Sequence, residues 1–189
     1  MVGDSLSAAY KIPREAGWVH LLRSRLAAQG YDYHVVNASI PGDTTAGGLS
    51  RLPAALSRYK PAVVVIELGG NDGLQGLPLE QMRSNLEKMV GLARKAGARV
   101  LLVGVRMPPN YGSTFTRQFA KVYRTVAKRT GVPLVPKLMA GVAEHPELMQ
   151  RGGLHPVAKA EPRLLDNVWA GLEPLLEKTS RSAPAATRG

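Results

Sequence analysis

Residues 61–73 read Pro61-Ala62-Val63-Val64-Val65-Ile66-Glu67-Leu68-Gly69-Gly70-Asn71-Asp72-Gly73. The unbroken β-branched run at 63–66 suits a strand buried on both faces, as in a parallel sheet lying under helices. The glycine-rich stretch after it ends the strand and opens a turn. A second run of this kind, Val100-Leu101-Leu102-Val103, lies within Arg99 to Val105, and a short last strand is expected over Val132 to Val135. Upstream, Tyr33, Val35 and Val36 read as a short strand ending at Asn37.

Helical spacing fills the gaps between these strands. Trp18, Leu21, Leu22 and Leu26 mark a helix to Gln29 that Gly30 stops. Leu49, Leu52, Leu56 and Tyr59 mark another, with Asp43 or Thr44 as its N-cap and Pro53 as an irregularity. Met82, Leu86, Met89, Val90 and Ala93 give a long amphipathic helix over Glu80 to Ala96, and Phe115, Phe119, Val122, Tyr123 and Val126 one over Thr114 to Thr130. Residues 106–112 are read as an irregular loop and 137–151 as a short helix with a loop. A final helix is expected from Pro156, at its first helical position, to Lys178.

Strands alternating with helices imply an α/β fold: a parallel sheet, helices on both faces, right-handed crossovers. Ligands in such sheets bind beyond the carboxyl ends of the strands. Ser5 in Gly3-Asp4-Ser5-Leu6, Gly42 in Ile40-Pro41-Gly42-Asp43, and Asn71 each follow a predicted strand. All three should meet on that edge.

The bulk properties narrow the class. The length of 189 residues suits one domain, expected over 1–178, with the small, polar and basic tail at 179–189 disordered. The absence of cysteine excludes disulfides, thiolate metal sites and a thiol nucleophile. No apolar run approaches the roughly 20 residues of a membrane-spanning helix. The net charge of +11 is scattered and aromatics make up 5%, so a solvated basic surface is expected and no nucleic-acid partner. Only Met1 and Val2 precede Gly3, where a parallel strand would want about five apolar residues. A shortened first strand and no signal peptide are therefore expected.

Acyl transfer needs a nucleophile, a base for its proton, and donors for the developing oxyanion. Ser5 is the nucleophile candidate. The backbone N–H groups of Ser5 and Gly42 and the side-chain amide of Asn71 are the donor candidates. Taken singly, each has a plainer reading: Ser5 as a turn or N-cap serine, Gly42 and Asn71 as turn residues. Of the four histidines, His20 falls in a helix and His34 in a strand. His155 sits in the flexible stretch Gly152-Gly153-Leu154-His155-Pro156, which could deliver an imidazole to the sheet edge.

Gly3-Asp4-Ser5-Leu6, the block from Asn37 to Asp43, Gly69-Gly70-Asn71-Asp72 and Leu154-His155-Pro156, in this order and spacing, resemble the four blocks of SGNH hydrolases, also called the GDSL family. The resemblance covers about residues 2–177. The strings Glu67 to Leu74 and Pro109-Asn110-Tyr111-Gly112 further resemble the bacterial branch of arylesterases, acyl-CoA thioesterases and lysophospholipases. It implies a three-layer α/β/α flavodoxin-like sandwich of about five parallel strands. It implies catalysis by Ser5 and His155, and an oxyanion hole of Ser5, Gly42 and Asn71. Substrate binding would fall to Asp4, Met107, Pro108 and Leu154. Asp4 and Asp72 would brace their turns through backbone N–H groups. The expected enzyme is a monomeric serine hydrolase of small acyl esters or thioesters, needing no metal or organic cofactor, in the periplasm or secreted.

One position departs from the family pattern. The last block ordinarily reads Asp-x-x-His, and the residue three before His155 is Gly152. Two outcomes follow: a working Ser–His dyad, or an impaired hydrolase-fold protein that binds acyl groups without turnover. Glu144, Glu147 and Glu161 are the nearby acids that could substitute. A nucleotide or phosphate binder on the same kind of sheet is disfavoured, since the loop after the first strand lacks a phosphate-cradling glycine run.

Overall fold

A computed structural model describes residues 1–178; the tail at 179–189 lies outside the described residues. Four parallel strands lie side by side in sequence order: β1 (Val2–Gly3), β2 (Val63–Glu67), β3 (Arg99–Val103) and β4 (Leu134–Val135). β2 and β3 form the centre, with Val63 to Ile66 facing Arg99 to Leu102 in register. β1 meets only the upper end of β2, Val2 beside Ile66 and Gly3 beside Glu67.

Where about five strands were expected, four are regular among the described residues. The chain around Val36 does run beside β1: the Met1 ammonium donates to Val36 O at 2.8 Å, Ala38 N–H to Met1 O at 2.9 Å and Ile40 N–H to Gly3 O at 3.0 Å. It is not a regular strand, because β1 offers only two residues to pair with. Side chains also hold its backbone. Arg23 Nη2 donates to Val35 O at 3.1 Å and Asn37 Nδ2 to Ser7 O at 2.7 Å.

Helices cover both faces of the sheet. α1 (Trp18–Ala28) and α6 (Glu161–Leu172) pack together on one side. α2 (Thr45–Tyr59), α4 (Leu79–Lys95) and α5 (Ser113–Thr130) pack together on the other. This is the three-layer arrangement. The apolar stripe of α4 (Met82, Leu86, Met89, Val90, Ala93) is wholly buried, as are Ile66, Leu101 and Leu102 of the sheet. Burial of such stripes is the main stabilising term of a sheet-and-helix sandwich. Thr44 is the N-cap of α2, its side chain accepting from Gly47 N–H, and Pro53 is accommodated inside the helix.

Three local expectations are revised. Gly70–Leu74 forms a single-turn helix, α3, where a turn was expected. Residues 106–112 contain one 3-10 turn, Pro109–Tyr111. Pro156 does not start the last helix: it bridges Met149 in an antiparallel pair, and α6 begins at Glu161 with Pro162 in its first turn. The extended backbone that this bridge demands is incompatible with a helical turn at Pro156.

Candidate active site

β1 ends in a tight turn that presents Ser5 between two buried residues, Asp4 and Leu6. Asp4 Oδ1 accepts Leu6 N–H at 3.0 Å, and Asp4 O accepts Ala8 N–H at 3.1 Å, so the aspartate braces the turn as expected. Glu67, at the end of β2, lies under the turn and is fully buried. Its Oε2 accepts the Ser7 hydroxyl at 2.7 Å and Asp4 N–H at 3.4 Å. Burial holds Glu67 well above the usual carboxylate range, the Asp4 charge adding to it. Burial likewise lifts Asp4 to about 6, against the lowering effect of its bond from Leu6.

His155 stands at the base of a pinched loop. Gln150 N–H donates to His155 O at 2.8 Å and Val157 N–H to Leu148 O at 2.9 Å. The tip is Gly152 and Gly153, at φ +110° and +69°. His155 Nε2 lies 2.8 Å from Ser5 Oγ, within the hydrogen-bond reach that a general base needs. Burial, and then the charge of Lys11, push the imidazole pKa below its usual 6.5.

Among the described residues, no carboxylate pairs with His155. The three acids that could have replaced the missing aspartate are occupied elsewhere. Glu144 lies 3.6 Å from Arg106, Glu147 lies 3.4 Å from His145, and the Glu161 carboxylate accepts Trp18 N–H at 2.7 Å. His20 lies in α1 and His34 is exposed on the edge segment, so neither reaches Ser5.

The oxyanion candidates converge on the same edge. Gly42 has φ +81°, a left-handed conformation that glycine adopts without strain. Among the described residues, the N–H groups of Ser5 and Gly42 donate no hydrogen bond. Asn71 Nδ2, on α3, donates to Asp43 O at 2.9 Å and to Asp4 Oδ2 at 3.2 Å.

Side chains that the sequence did not single out hold these loops. Asp43 Oδ2 is gripped by Arg51 Nε and Nη2, both at 2.7 Å, and Arg51 also donates to Ala38 O and Gly3 O. Asp72 braces a neighbouring element: its carboxylate accepts Thr45 N–H at 2.8 Å and the Thr45 hydroxyl, and Asn85 Nδ2 donates to Thr45 Oγ1 at 3.1 Å. Arg51 and Asn85 sit at ordinary helical positions, and nothing in their sequence surroundings marks them.

A cavity of about 760 Å³ opens at Ser5 and His155. The four residues expected to bind substrate, Asp4, Met107, Pro108 and Leu154, all line it, with Leu74 and Met139 adding apolar wall. Such volumes accept small organic ligands and acyl chains. Among the described residues no cluster of three or more His, Cys, Asp or Glu side chains could hold a metal ion. No described helix is long and apolar enough to cross a membrane.

Comparison with known proteins gives consistent relatives. The model of the GDSL-like Lipase/Acylhydrolase family matches residues 1–161. The chain is 54% identical to esterase TesA of Pseudomonas aeruginosa over 93% of its length and 88% of the relative's. It is 40% identical to thioesterase 1/protease 1/lysophospholipase L1 of Escherichia coli K12, over 95% and 85%. Among solved structures, a crystal structure of TesA superposes with a TM-score of 0.91 at 55% identity, covering 93% of this chain and 97% of that one. The psychrotrophic esterase EstA from Pseudoalteromonas sp., inhibited by monoethylphosphonate, superposes with 0.87 at 39% identity, covering 92% and 94%.

Proposed function

The chain belongs to the GDSL-like lipase/acylhydrolase family, and from that membership we propose a cofactor-free serine hydrolase of carboxylic esters and acyl thioesters that works through an acyl-enzyme on Ser5. The hydrolase type, esterase, thioesterase or lysophospholipase, is that of its close relatives. The observation that carries the mechanism is the 2.8 Å contact between Ser5 Oγ and His155 Nε2 at the mouth of the cavity.

Ser5 Oγ attacks the acyl carbonyl carbon while its proton passes to His155 Nε2. The carbonyl oxygen becomes an oxyanion facing the N–H groups of Ser5 and Gly42 and the Asn71 amide. Collapse breaks the bond to the leaving alcohol or thiol, which takes the proton from Nε2. Water then attacks the acyl-enzyme, again giving its proton to Nε2, and the carboxylic acid leaves as Ser5 recovers its hydrogen. Ser5 and His155 act as a dyad, with Gly152 in place of an acid. The periplasm or the exterior of the cell is the compartment proposed for it, checked by fractionation.

The test is hydrolysis of p-nitrophenyl esters from acetate to palmitate, with covalent labelling by a fluorophosphonate. The expected result is turnover, and a mass-shifted peptide carrying Ser5 that disappears in Ser5→Ala. A folded protein that hydrolyses no ester and takes no label would instead be an acyl binder.

A further inference from the structure

Something other than an acid has to hold the imidazole. Resting on the Ser5–His155 reading, we propose that Tyr10 and Gln150 are the positioning residues of His155, an aromatic ring and an amide clamp in a chain that has Gly152 at the family's aspartate position.

The Tyr10 ring lies against the imidazole, centroids 4.6 Å apart and planes tilted by 41°. That spacing is within the favourable range for paired rings. The contact restricts rotation of the imidazole about its own bond, while the hydrogen bond to Ser5 fixes Nε2. The Tyr10 hydroxyl makes no hydrogen bond among the described residues, so the ring itself is the working part.

The backbone around Tyr10 is shaped to present that ring. Ala9 and Lys11, on either side of it, have φ of +56° and +57°, and they are two of only three non-glycine residues with positive φ among the described residues. Side chains other than glycine adopt this conformation at a cost that surrounding contacts must offset. Gln150 supplies such contacts. Its Nε2 donates to Tyr10 O at 2.9 Å and to Pro156 O at 2.8 Å, and its backbone N–H donates to His155 O. One residue therefore ties the turn that carries the nucleophile to two successive carbonyls, those of His155 and Pro156.

The arrangement also suits the proton transfer. When Ser5 attacks, the imidazole becomes a cation, and an aromatic face beside it favours positive charge. Burial, and then the charge of Lys11, whose Nζ lies 5.1 Å from the centre of the same ring, lower the imidazole pKa in the resting site.

The experiment measures kcat, KM and the pH profile for p-nitrophenyl acetate in the full chain and in Tyr10→Leu, Tyr10→Phe and Gln150→Ala, with Ser5→Ala and His155→Ala as controls. Tyr10→Leu and Gln150→Ala are expected to lower kcat by about 10- to 100-fold with KM changed by less than about threefold. The NMR titration of His155 is expected to move down in Tyr10→Leu, as the aromatic face that favours the imidazolium is lost. Tyr10→Phe is expected to restore kcat to within about threefold. Unchanged kcat in both Tyr10→Leu and Gln150→Ala would overturn the proposal, as would a loss confined to KM or a Tyr10→Phe as slow as Tyr10→Leu. If Gln150→Ala fails to fold, the two Tyr10 variants decide. Activity surviving in Ser5→Ala or His155→Ala would instead remove the catalytic reading on which the proposal rests.

Discussion

Glu161 accepts the backbone N–H of Trp18 at 2.7 Å, joining the first turns of α1 and α6 through a buried carboxylate. The bond satisfies an N–H that the start of a helix leaves without an intrahelical partner. Burial lifts the carboxyl to about 7, against the lowering effect of the bond from Trp18. The folded chain thus keeps a proton that the unfolded chain releases above the ordinary value of 4.5. This contribution favours folding in full below that value and is lost as pH rises through 7. Glu161→Gln keeps an acceptor for Trp18 and cannot ionise. Relative to the parent, the variant should gain about 3 kcal/mol between pH 4 and pH 8, read from urea unfolding at each pH.

The kinetic pH profile has the opposite sign. His155 acts as a base only when neutral, and burial followed by the Lys11 charge lowers its pKa. kcat/KM should rise with pH through a midpoint below 6.5 and stay level above it. Lys11→Ala removes one of the two causes, so its midpoint should move up. A midpoint that stays where it was would mean that burial alone sets the imidazole.

Asn71 reaches the site with its amide anchored on Asp43 O and shared with Asp4. Removing a side-chain donor from an oxyanion hole costs about 10²- to 10³-fold in kcat. Asn71→Ala should show a loss of that size for ester hydrolysis, with substrate KM little changed. A loss expressed in KM instead would assign Asn71 to ground-state binding.

Restoring an acid at Gly152 is the obvious repair, and the backbone opposes it. At φ +110° a residue with a Cβ is strained even though the space around it is open. Gly152→Asp should therefore lose about 1–3 kcal/mol of stability by thermal or urea unfolding. It should gain little in kcat unless the loop tip refolds. A gain of 100-fold or more would show that the loop adapts readily and that an acid can take over from Tyr10 and Gln150.

Much of this molecule is written in local patterns. Val63 to Ile66 and Val100 to Val103 are continuous apolar runs, and they became the central pair of strands. The stripe from Met82 to Ala93 fixed α4 on the sheet, because a helical period can bury only one face. With the strands parallel, Ser5 and Asn71 had to meet at their carboxyl ends, and Gly42 joins them at the same cavity, so the place where these candidates converge was legible before any coordinates. Other features follow from distance along the chain and were not. The segment near Val36 reads as a strand, yet a few backbone bonds beside β1 are all the pairing it finds and no regular strand forms. Gln150 and Tyr10 are 140 residues apart, as Trp18 and Glu161 are 143 apart, and no local periodicity records which polar side chain meets which backbone group. The sequence by itself determined the layered sheet and the placing of Ser5, because both depend on short-range burial patterns. Only the tertiary structure decided what holds His155, because that is a matter of packing between distant turns.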